Sequence, residues 1–343
     1  MKSTFLAILV FGMCLCHCRL WAAGFAFDSN SVVNLRKLNK LSTASGIKVF
    51  WWNVAWGSHN SDGALDQNLT VMARSDYRPD IIVLGEYRSQ DLNQKTHDLL
   101  KKWYPYQDHF TYSSSATVGI GIFSRSKFTR GGLKDLNWAP SSRSLSAQKT
   151  FKDSWRSSAP DEVRYWDRRS ASYRFSINGS NFYLFPVHLL EPWNAIYDVQ
   201  GKLGVMDSFF SKGSNPLNYQ IEAFRSFVKS ELGGNFESAP VLLLGDFNAP
   251  KSVLTLPSVS YSILSRNFTE CFFGSPDTFP AASSPVSSTP PFSYYHMKID
   301  HGLINGWVEK IGGGVIEMRG SDHYPIYVVI RPKSAKHWYD FLN

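Results

Sequence analysis

The sequence predicts an α/β protein in which two mixed β-sheets pack face to face with helices on the outside. Short apolar segments alternate with segments of helical periodicity along most of the 343 residues, which is typical of layered α/β folds. The pair Asn178-Gly179 separates two further apolar segments and predicts an antiparallel hairpin. The two observations together favour sheets that contain both parallel and antiparallel strands.

The N-terminal half of the chain supplies buried strands that alternate with helices. Residues 47–52 and 81–84 are mainly apolar, as expected for strands covered on both faces. Residues 65–72 and 92–103 carry apolar side chains at helical spacing, which predicts one helix after each of these strands. Residues 118–123 predict a further strand.

The C-terminal half continues the same pattern. Residues 172–177 and 182–185 flank the Asn-Gly turn and form the two arms of the predicted hairpin. Residues 221–232 predict a helix that ends at Gly233-Gly234. Apolar strands are predicted at residues 241–244, 299–304 and 326–330.

Two segments have no clear periodicity. Residues 131–165 are rich in Ser, Lys, Arg and Trp, and we interpret them as an inserted surface loop that faces the substrate. Residues 274–293 are rich in Pro and Ser and predict an irregular loop. We identify no linker that would divide the mature chain.

The first 24 residues have the pattern of a signal peptide. Lys2 gives a positive start, residues 5–16 are apolar, and Ala22-Ala23-Gly24 offers small residues for cleavage. The apolar segment is too short to span a bilayer. We therefore expect residues 1–24 to be removed and residues 25–343 to form a single domain that is secreted or periplasmic.

Composition restricts the mature chain further. Hydrophobic residues make up 43% and charged residues 19%, which excludes a disordered protein. Cleavage would remove Lys2, Arg19 and three of the four cysteines, so the net charge falls from +8 to +6 and only Cys271 remains. We expect a monomer without internal disulfides, stabilised by a large core. The basic charge favours a polyanionic partner, either nucleic acid or an anionic lipid surface.

Polar residues stand at the ends of at least five predicted strands. A polar residue after one strand is usually a turn or cap residue, but so many in one chain indicate a shared site. Carboxylate, amide and imidazole groups together can hold a hard metal ion and move a proton. The candidates are Asn53, Glu86, His188, Asp246, Asn248, Asp300, Asp322 and His323.

The order of these motifs resembles the endonuclease/exonuclease/phosphatase superfamily, whose best-known fold is that of DNase I. The matching motifs span residues 47–331. The resemblance implies a four-layer α/β sandwich and a Mg²⁺-dependent attack of water on a phosphorus ester. The motifs are Trp-Asn (52–53), Pro-Asp-Ile-Ile-Val-Leu-Gly-Glu (79–86), Gly-Ile-Gly-Ile-Phe-Ser-Arg (119–125), Val-His-Leu (187–189), Gly-Asp-Phe-Asn (245–248), Ile-Asp-His (299–301) and Ser-Asp-His-Tyr-Pro (321–325).

The resemblance also implies a metal site. Glu86 is the first candidate ligand, helped by Asn53 and Asp322. Mg²⁺ prefers oxygen ligands and keeps several waters, so one or two carboxylates are sufficient. Mn²⁺ and Ca²⁺ are the alternative cations.

The remaining catalytic roles follow from the same resemblance. His323 is the expected general base for the attacking water, because an imidazole titrates near neutral pH. Asp300 matches the aspartate that holds this histidine's other nitrogen. Asp246 and Asn248 are expected to place the water and the phosphate, and His188 to stabilise or protonate the leaving group.

An arginine is expected to contact the substrate phosphate, and two neighbours compete for this role. Arg168 matches the family position, and Arg169 is adjacent.

Two features depart from the family. Thr117 stands where nuclease members often carry a tyrosine, with Tyr112 nearby but out of step. No residue is identified as the acidic partner of His188.

The sequence leaves the substrate open among several classes. An endonuclease is favoured by the basic charge and by His188, which abasic-site enzymes of the superfamily usually lack. A sphingomyelinase-like phospholipid phosphodiesterase is the alternative, because aromatic residues at 272–273 and 292–295 could enter a lipid interface. A phosphomonoesterase and a non-catalytic binding module on the same scaffold complete the set.

Overall fold

The structure is a computed structural model, and it describes the chain in nine segments. These are residues 45–57, 62–74, 78–114, 116–136, 168–190, 216–253, 256–272, 277–279 and 297–333. The predicted signal peptide lies outside the described residues, as do most of the predicted insertion and most of the predicted Pro- and Ser-rich loop.

Two six-stranded mixed sheets form the centre of the protein, as the sequence predicted. The first sheet has the strand order β13-β14-β1-β2-β4-β3, and only β1 and β2 in it are parallel. Its strands are β1 (Ile47–Asn53), β2 (Ile81–Tyr87), β3 (Tyr106–Thr111), β4 (Gly119–Ser124), β13 (Val308–Val315) and β14 (Ile326–Pro332).

The second sheet has the strand order β11-β12-β8-β7-β6-β5, and only β7 and β8 in it are parallel. The predicted Asn-Gly turn joins β6 to β7. The strands are β5 (Phe128–Asp135), β6 (Arg169–Ile177), β7 (Ser180–His188), β8 (Val241–Asp246), β11 (Thr269–Glu270) and β12 (Asp300–Ile304). A small separate ribbon pairs β9 (Ser252–Val253) with β10 (Leu256–Pro257).

Four α-helices are described in these segments: α1 (Ala64–Arg74), α2 (Gln94–Trp103), α3 (Pro216–Leu232) and α4 (Val259–Leu264). Three 3₁₀ turns accompany them at Ala55–Gly57, Ser89–Asp91 and Gly233–Asn235. The described helices include none that is long and apolar enough to cross a membrane.

Three apolar layers hold the sheets and helices together. The inner faces of the two sheets share one core, in which Trp51 of the first sheet lies with Leu244 of the second. A second core packs α1 and α2 on the outer face of the first sheet, around Trp52. A third core packs α3 and α4 on the outer face of the second sheet, around Leu243. The result is the predicted four-layer sandwich, and it follows from strands that are apolar on both faces.

The structure corrects one sequence prediction. Residues 131–135 are not part of a surface loop, because they pair with β6 as the second half of β5. Trp103, one of the apolar residues that predicted the second helix, is 36% exposed, and the guanidinium of Arg78 lies over its ring. The cation–π contact gives this side chain a partner outside the core.

The strand register brings the predicted polar residues together. In the second sheet, Asp246 of β8 lies directly opposite His188 of β7 and opposite Asp300 of β12. In the first sheet, Asn53 of β1 lies opposite Gly85, the residue before Glu86. In each sheet, the candidate site residues therefore lie at one set of strand ends.

Candidate active site

The second sheet holds three candidate residues in a row because β7 and β8 approach closely. A Cβ atom on Gly245 would lie 1.9 Å from the carbonyl oxygen of Val187, so only glycine fits there. This close approach places Asp246 beside His188, with 3.7 Å between Asp246 Oδ2 and His188 Nε2. The glycine of the Gly-Asp-Phe-Asn motif therefore allows the end of β8 to lie against β7.

Glu86 reaches the site through an irregular end of β2. The register of β2 against β4 shifts between Leu84 and Tyr87, and Glu86 has a left-handed φ of 49°. A positive φ is strained for a non-glycine residue and is often found at functional positions. The backbone N–H of Glu86 donates to the hydroxyl of Tyr112 at 2.9 Å.

Asn53 connects the two sheets. Its Nδ2 donates to Glu86 Oε1 at 3.2 Å and to Asp246 Oδ2 at 3.1 Å. Its Oδ1 accepts from the backbone N–H of Ala55 at 3.1 Å. A carbonyl oxygen has a second lone pair, so Asn53 can still act as a metal ligand, and this role stays a prediction.

Asp300 and His323 form the predicted couple. His323 Nδ1 lies 2.8 Å from Asp300 Oδ2, and the indole N–H of Trp51 donates to Asp300 Oδ1 at 2.7 Å. Burial alone would lower the pKa of His323, but the carboxylates of Asp300, Asp246 and Asp322 raise it well above its ordinary value. His323 Nε2 faces Asp246 Oδ2 at 3.7 Å.

Asp246 lies among charged neighbours in a fully buried position. Burial and the adjacent carboxylate of Asp300 raise the pKa of Asp246 to about 8, against the opposing effect of His323. Its Oδ1 accepts from the backbone N–H of Asn248 at 2.9 Å.

Asn248 turns the chain at the mouth of β8. Its φ of 48° lies in the left-handed region, which asparagine tolerates better than most residues. Its Nδ2 donates to the carbonyl of Leu189 at 2.9 Å. The side chain is thereby fixed beside the strand end that carries His188.

His188 is wholly buried between the two sheets. Its Nδ1 lies 2.7 Å from the hydroxyl of Tyr112, and its Nε2 has no hydrogen-bond partner among the described residues. Burial lowers the pKa of His188 well below its ordinary value, and the positive charges of Arg168 and His323 add to the effect. At neutral pH this imidazole is uncharged.

The structure separates the two candidate arginines. Arg168 is buried, and its guanidinium carbon lies 5.0 Å from the ring centroid of Tyr112. Arg169 instead pairs through Nε with the exposed Asp135. Only Arg168 thus lies against the residues that surround His188.

Asp322 lies beside His323. Ser321 Oγ is 2.6 Å from the carbonyl of Asn53 and 3.2 Å from Asp322 Oδ1, and it accepts from the backbone N–H of His323 at 3.2 Å. The Ser-Asp-His motif is therefore tied to the end of β1. All eight strand-end candidates belong to one connected region.

The donor set fits a divalent cation. Asp246, Asp300 and His323 each offer one ligand atom, and these atoms lie within 4.8 Å of one another. Asp300 already accepts from Trp51 and His323, whereas a hard cation prefers oxygen ligands that it need not share. Glu86, whose Oε1 accepts from Asn53 Nδ2 at 3.2 Å, stays the predicted metal ligand.

Three residues of the site were missed from the sequence alone. Tyr112 was judged out of step, but its backbone N–H donates to the carbonyl of Val118 across the β3–β4 hairpin, and its hydroxyl reaches His188. Trp51 was assigned to the core only. The ring of Phe279 lies 4.9 Å from the ring of His323 between centroids, in a segment predicted as irregular.

A comparison with family models supplies the identification. Residues 50–323 match the endonuclease/exonuclease/phosphatase family. The chain belongs to this family. It is accordingly a phosphoester hydrolase, and the match covers every candidate site residue. No curated protein matches the chain.

Solved structures share the fold at low sequence identity. An endonuclease/exonuclease/phosphatase from Beutenbergia cavernae is 16% identical, with a TM-score of 0.52, over 84% of this chain and 72% of that one. A mannosyl-6-phosphatase from Bacteroides thetaiotaomicron is 18% identical, with a TM-score of 0.52, over 83% and 99%. TDP2 from D. rerio, complexed with a single-strand DNA product, is 15% identical, with a TM-score of 0.51, over 84% and 100%.

Proposed function

We propose that this family member is an exported, Mg²⁺-dependent phosphodiesterase that cleaves nucleic acid as an endonuclease. The observation that carries the proposal is the amide of Asn53, which contacts both Glu86 and Asp246. It joins the predicted metal ligand to the residue that lies 3.7 Å from His188 and His323. One phosphate could therefore meet the metal, the base and the leaving-group histidine together.

Different residues of the chain have different roles in the reaction. His323 accepts the proton of the attacking water through Nε2, while Asp300 holds Nδ1 and stabilises the imidazolium that forms. Asp246 and Asn248 position the water and the phosphate. Glu86, Asn53 and Asp322 would hold Mg²⁺, which would neutralise charge on the phosphate oxygens and whose positive charge would oppose protonation of His323.

The leaving-group side of the site offers hydrogen-bond donors. His188 is uncharged at neutral pH and presents Nε2, which has no partner among the described residues. Arg168 lies behind Tyr112 on the same side and offers a fork of donors suited to phosphate oxygens. His188 is placed to stabilise charge that develops as the P–O bond breaks, and Arg168 is placed to bind the substrate phosphate.

Nucleic acid is the favoured substrate on grounds of charge. The full chain carries +8, and the mature chain would carry +6. Such a charge attracts a polyphosphate backbone over long range. The TDP2 structure similar in fold was complexed with single-strand DNA product, which is consistent with this choice.

The alternative substrates have weaker support. Phe272, which was a candidate for lipid contact, is buried in the inter-sheet core, and Lys298 Nζ lies 3.8 Å from its ring centroid. Phe273 and residues 292–295 lie outside the described residues. A phosphomonoester becomes the second candidate ahead of the phospholipid, because a mannosyl-6-phosphatase shares the fold.

A substrate panel tests the proposal. The purified protein is incubated with supercoiled plasmid, sphingomyelin vesicles and mannose 6-phosphate, each with Mg²⁺, Mn²⁺ or Ca²⁺ and with EDTA. Plasmid nicking that requires Mg²⁺ is expected. Choline-phosphate release without nicking would favour the lipid enzyme, and phosphate release from the sugar alone would favour the phosphomonoesterase. Unchanged substrates throughout would favour a binding module.

Export is a separate part of the proposal. Residues 1–24 have the signal pattern, and the family match begins at residue 50. Fractionation of the producing cell, with N-terminal sequencing of the mature protein, tests this part. A protein that retains Met1 and stays with the cytoplasmic fraction would contradict it.

A further inference from the structure

The hydroxyl of Tyr112 lies between two nitrogen atoms. It is 2.9 Å from the backbone nitrogen of Glu86 and 2.7 Å from Nδ1 of His188. A backbone N–H can only donate, so the phenol oxygen accepts from Glu86. Among the described residues, Nδ1 of His188 is the acceptor within reach of the phenol proton, so we assign this bond with the phenol as donor.

These two hydrogen bonds indicate which ring nitrogen of His188 carries its proton. A neutral imidazole carries one proton, and a ring whose Nδ1 accepts must carry that proton on Nε2. An imidazolium would place a proton on Nδ1 and leave the phenol proton without an acceptor among the described residues. The distance of 3.7 Å from Nδ1 to Glu86 Oε1 is too long for a competing hydrogen bond.

The phenol ring is held firmly enough to impose this choice. Tyr112 is fully buried, and its backbone N–H donates to Val118 at 3.0 Å. The guanidinium of Arg168 lies 5.0 Å from its ring centroid, and the ring of His188 meets it edge to face at 5.3 Å. Contacts on the backbone, the ring and the hydroxyl leave little freedom to reorient.

We infer that Tyr112 is a positioning residue that holds the proton of His188 on Nε2, so that this histidine presents a fixed N–H donor to the leaving oxygen. The inference rests on the proposed function for the identity of the leaving group. Tyr112 therefore takes the place of the acidic partner of His188, which the sequence analysis did not identify. No contact of Tyr112 with the substrate is required.

The consequence for the reaction is that His188 stabilises the leaving group and does not protonate it. The water oxygen forms a bond to phosphorus as the bond to the leaving oxygen breaks. His323 takes the proton of the water, and the leaving oxygen, hydrogen-bonded by Nε2–H of His188, takes a proton from solvent. Donors aimed at developing charge are among the strongest contributions to catalysis.

Nitrogen-15 NMR of the histidine rings tests the tautomer without any substrate. Two- and three-bond ¹⁵N–¹H correlations distinguish a protonated from an unprotonated ring nitrogen, and a His188→Gln variant identifies the His188 signals. Wild-type protein is expected to show an unprotonated Nδ1 and a protonated Nε2. A proton on Nδ1 would overturn the inference, whatever the activity of the protein.

Tyr112→Phe removes only the hydroxyl. The variant is expected to shift the Nδ1 signal of His188 and to mix the two tautomers. Tyr173→Phe is the matched control, because Tyr173 is equally buried and donates to Asp108 at 2.7 Å, away from His188. Unchanged His188 signals in folded Tyr112→Phe protein would contradict the inference. If this variant does not fold, the wild-type spectrum still tests the tautomer of His188.

Kinetics then connect the tautomer to turnover on the substrate that the panel selects. Tyr112→Phe is expected to lower kcat about tenfold with little change in KM, as for other residues that orient a functional histidine. Tyr173→Phe is expected to keep both constants. A rise in KM alone would place Tyr112 in substrate binding and contradict the inference. An inactive wild type would refute the proposed function only, because the spectrum is read independently.

Discussion

Trp51 and Asp300, 249 residues apart, are joined by a hydrogen bond of 2.7 Å from the indole N–H to Oδ1. The other oxygen of Asp300 holds His323 at 2.8 Å. The next residue along β1, Trp52, points to the opposite face of the strand and donates to the backbone carbonyl of His323 at 2.9 Å. Two adjacent tryptophans thus hold the Asp300–His323 pair from both faces of one sheet.

Trp51→Phe should impair catalysis more than Trp52→Phe. Both changes remove an indole donor and should each cost about 1–3 kcal/mol in the free energy of unfolding, because a buried acceptor loses its partner. Only Trp51→Phe frees the carboxylate that orients His323, so its kcat should fall about tenfold further. Urea unfolding and steady-state kinetics measure the two effects. Equal kcat in the two variants would show that the indole of Trp51 serves packing only.

Arg168→Lys should weaken substrate binding, and Arg169→Lys should not. Arg168 is the arginine on the Tyr112 side of the site, whereas Arg169 pairs with Asp135 at the surface. Lysine keeps the charge but loses the fork of donors, so KM should rise about tenfold in the first variant. Steady-state kinetics on plasmid or oligonucleotide provide the comparison. A larger effect from Arg169→Lys would reverse the assignment.

Glu86→Gln should raise the concentration of Mg²⁺ that supports half-maximal activity. The substitution keeps the shape of the side chain and removes the carboxylate charge that attracts the cation, so an increase of at least about tenfold is expected. Metal titrations of activity, and calorimetric titrations of Mg²⁺ without substrate, measure the change. Glu309→Gln, in an exposed ion pair with Arg331, is the control. Identical Mg²⁺ curves for wild type and Glu86→Gln would place the cation elsewhere.

A second buried charge cluster supports the loop that follows Asp246. Glu270 Oε2 lies 2.7 Å from His301 Nδ1 and 3.5 Å from Lys298 Nζ, and the other nitrogen of His301 lies 3.0 Å from the carbonyl of Ala249. Burial alone would raise the pKa of Glu270, but His301 and Lys298 hold it below its ordinary value. The folded state therefore favours the ionised carboxylate.

This cluster predicts how stability depends on pH. Because folding lowers the pKa of Glu270, its ionised form stabilises the protein above the unfolded pKa of about 4.3 and loses this effect as the pH falls through the folded pKa. Glu270→Gln should cost about 3–5 kcal/mol at pH 7 and should flatten the loss of stability below about pH 4.3. Urea unfolding from pH 7 to pH 3 tests this. Glu309→Gln should change little at any pH, and a wild-type acid slope that survives in Glu270→Gln would refute the account.

The central strands could be predicted from the sequence because they are covered on both faces. β1, β2, β8 and β14 read as apolar segments, and their ends deliver the polar residues of the site. The edge strands β3, β5, β11 and β13 were missed in whole or in part. An edge strand pairs on one side only and carries polar or glycine residues, such as Val-Glu-Lys-Ile-Gly-Gly-Gly-Val in β13. Its sequence therefore lacks the apolar signal.

The weak apolar signal of edge strands and the lack of any local pattern for long-range contacts also explain why Tyr112 and Trp51 were missed at the site. Tyr112 follows the polar edge strand β3, and only the register of the β3–β4 hairpin shows that it lies opposite Val118 and near His188. Tyr112 lies one residue beyond Thr111, which pairs with Gly119, so the hairpin register places it opposite Val118. The bond from Trp51 to Asp300 crosses between the sheets, and no local pattern encodes it.

The most direct test compares wild-type and His323→Ala protein in nicking of supercoiled plasmid with Mg²⁺ and with EDTA. Nicking by wild type is expected with Mg²⁺ only, and His323→Ala should slow it by at least about 100-fold while the protein stays folded, because the water loses its base. Nicking by wild type that persists in EDTA, or an equal rate in folded His323→Ala protein, would contradict a single metal-assisted site built around this histidine.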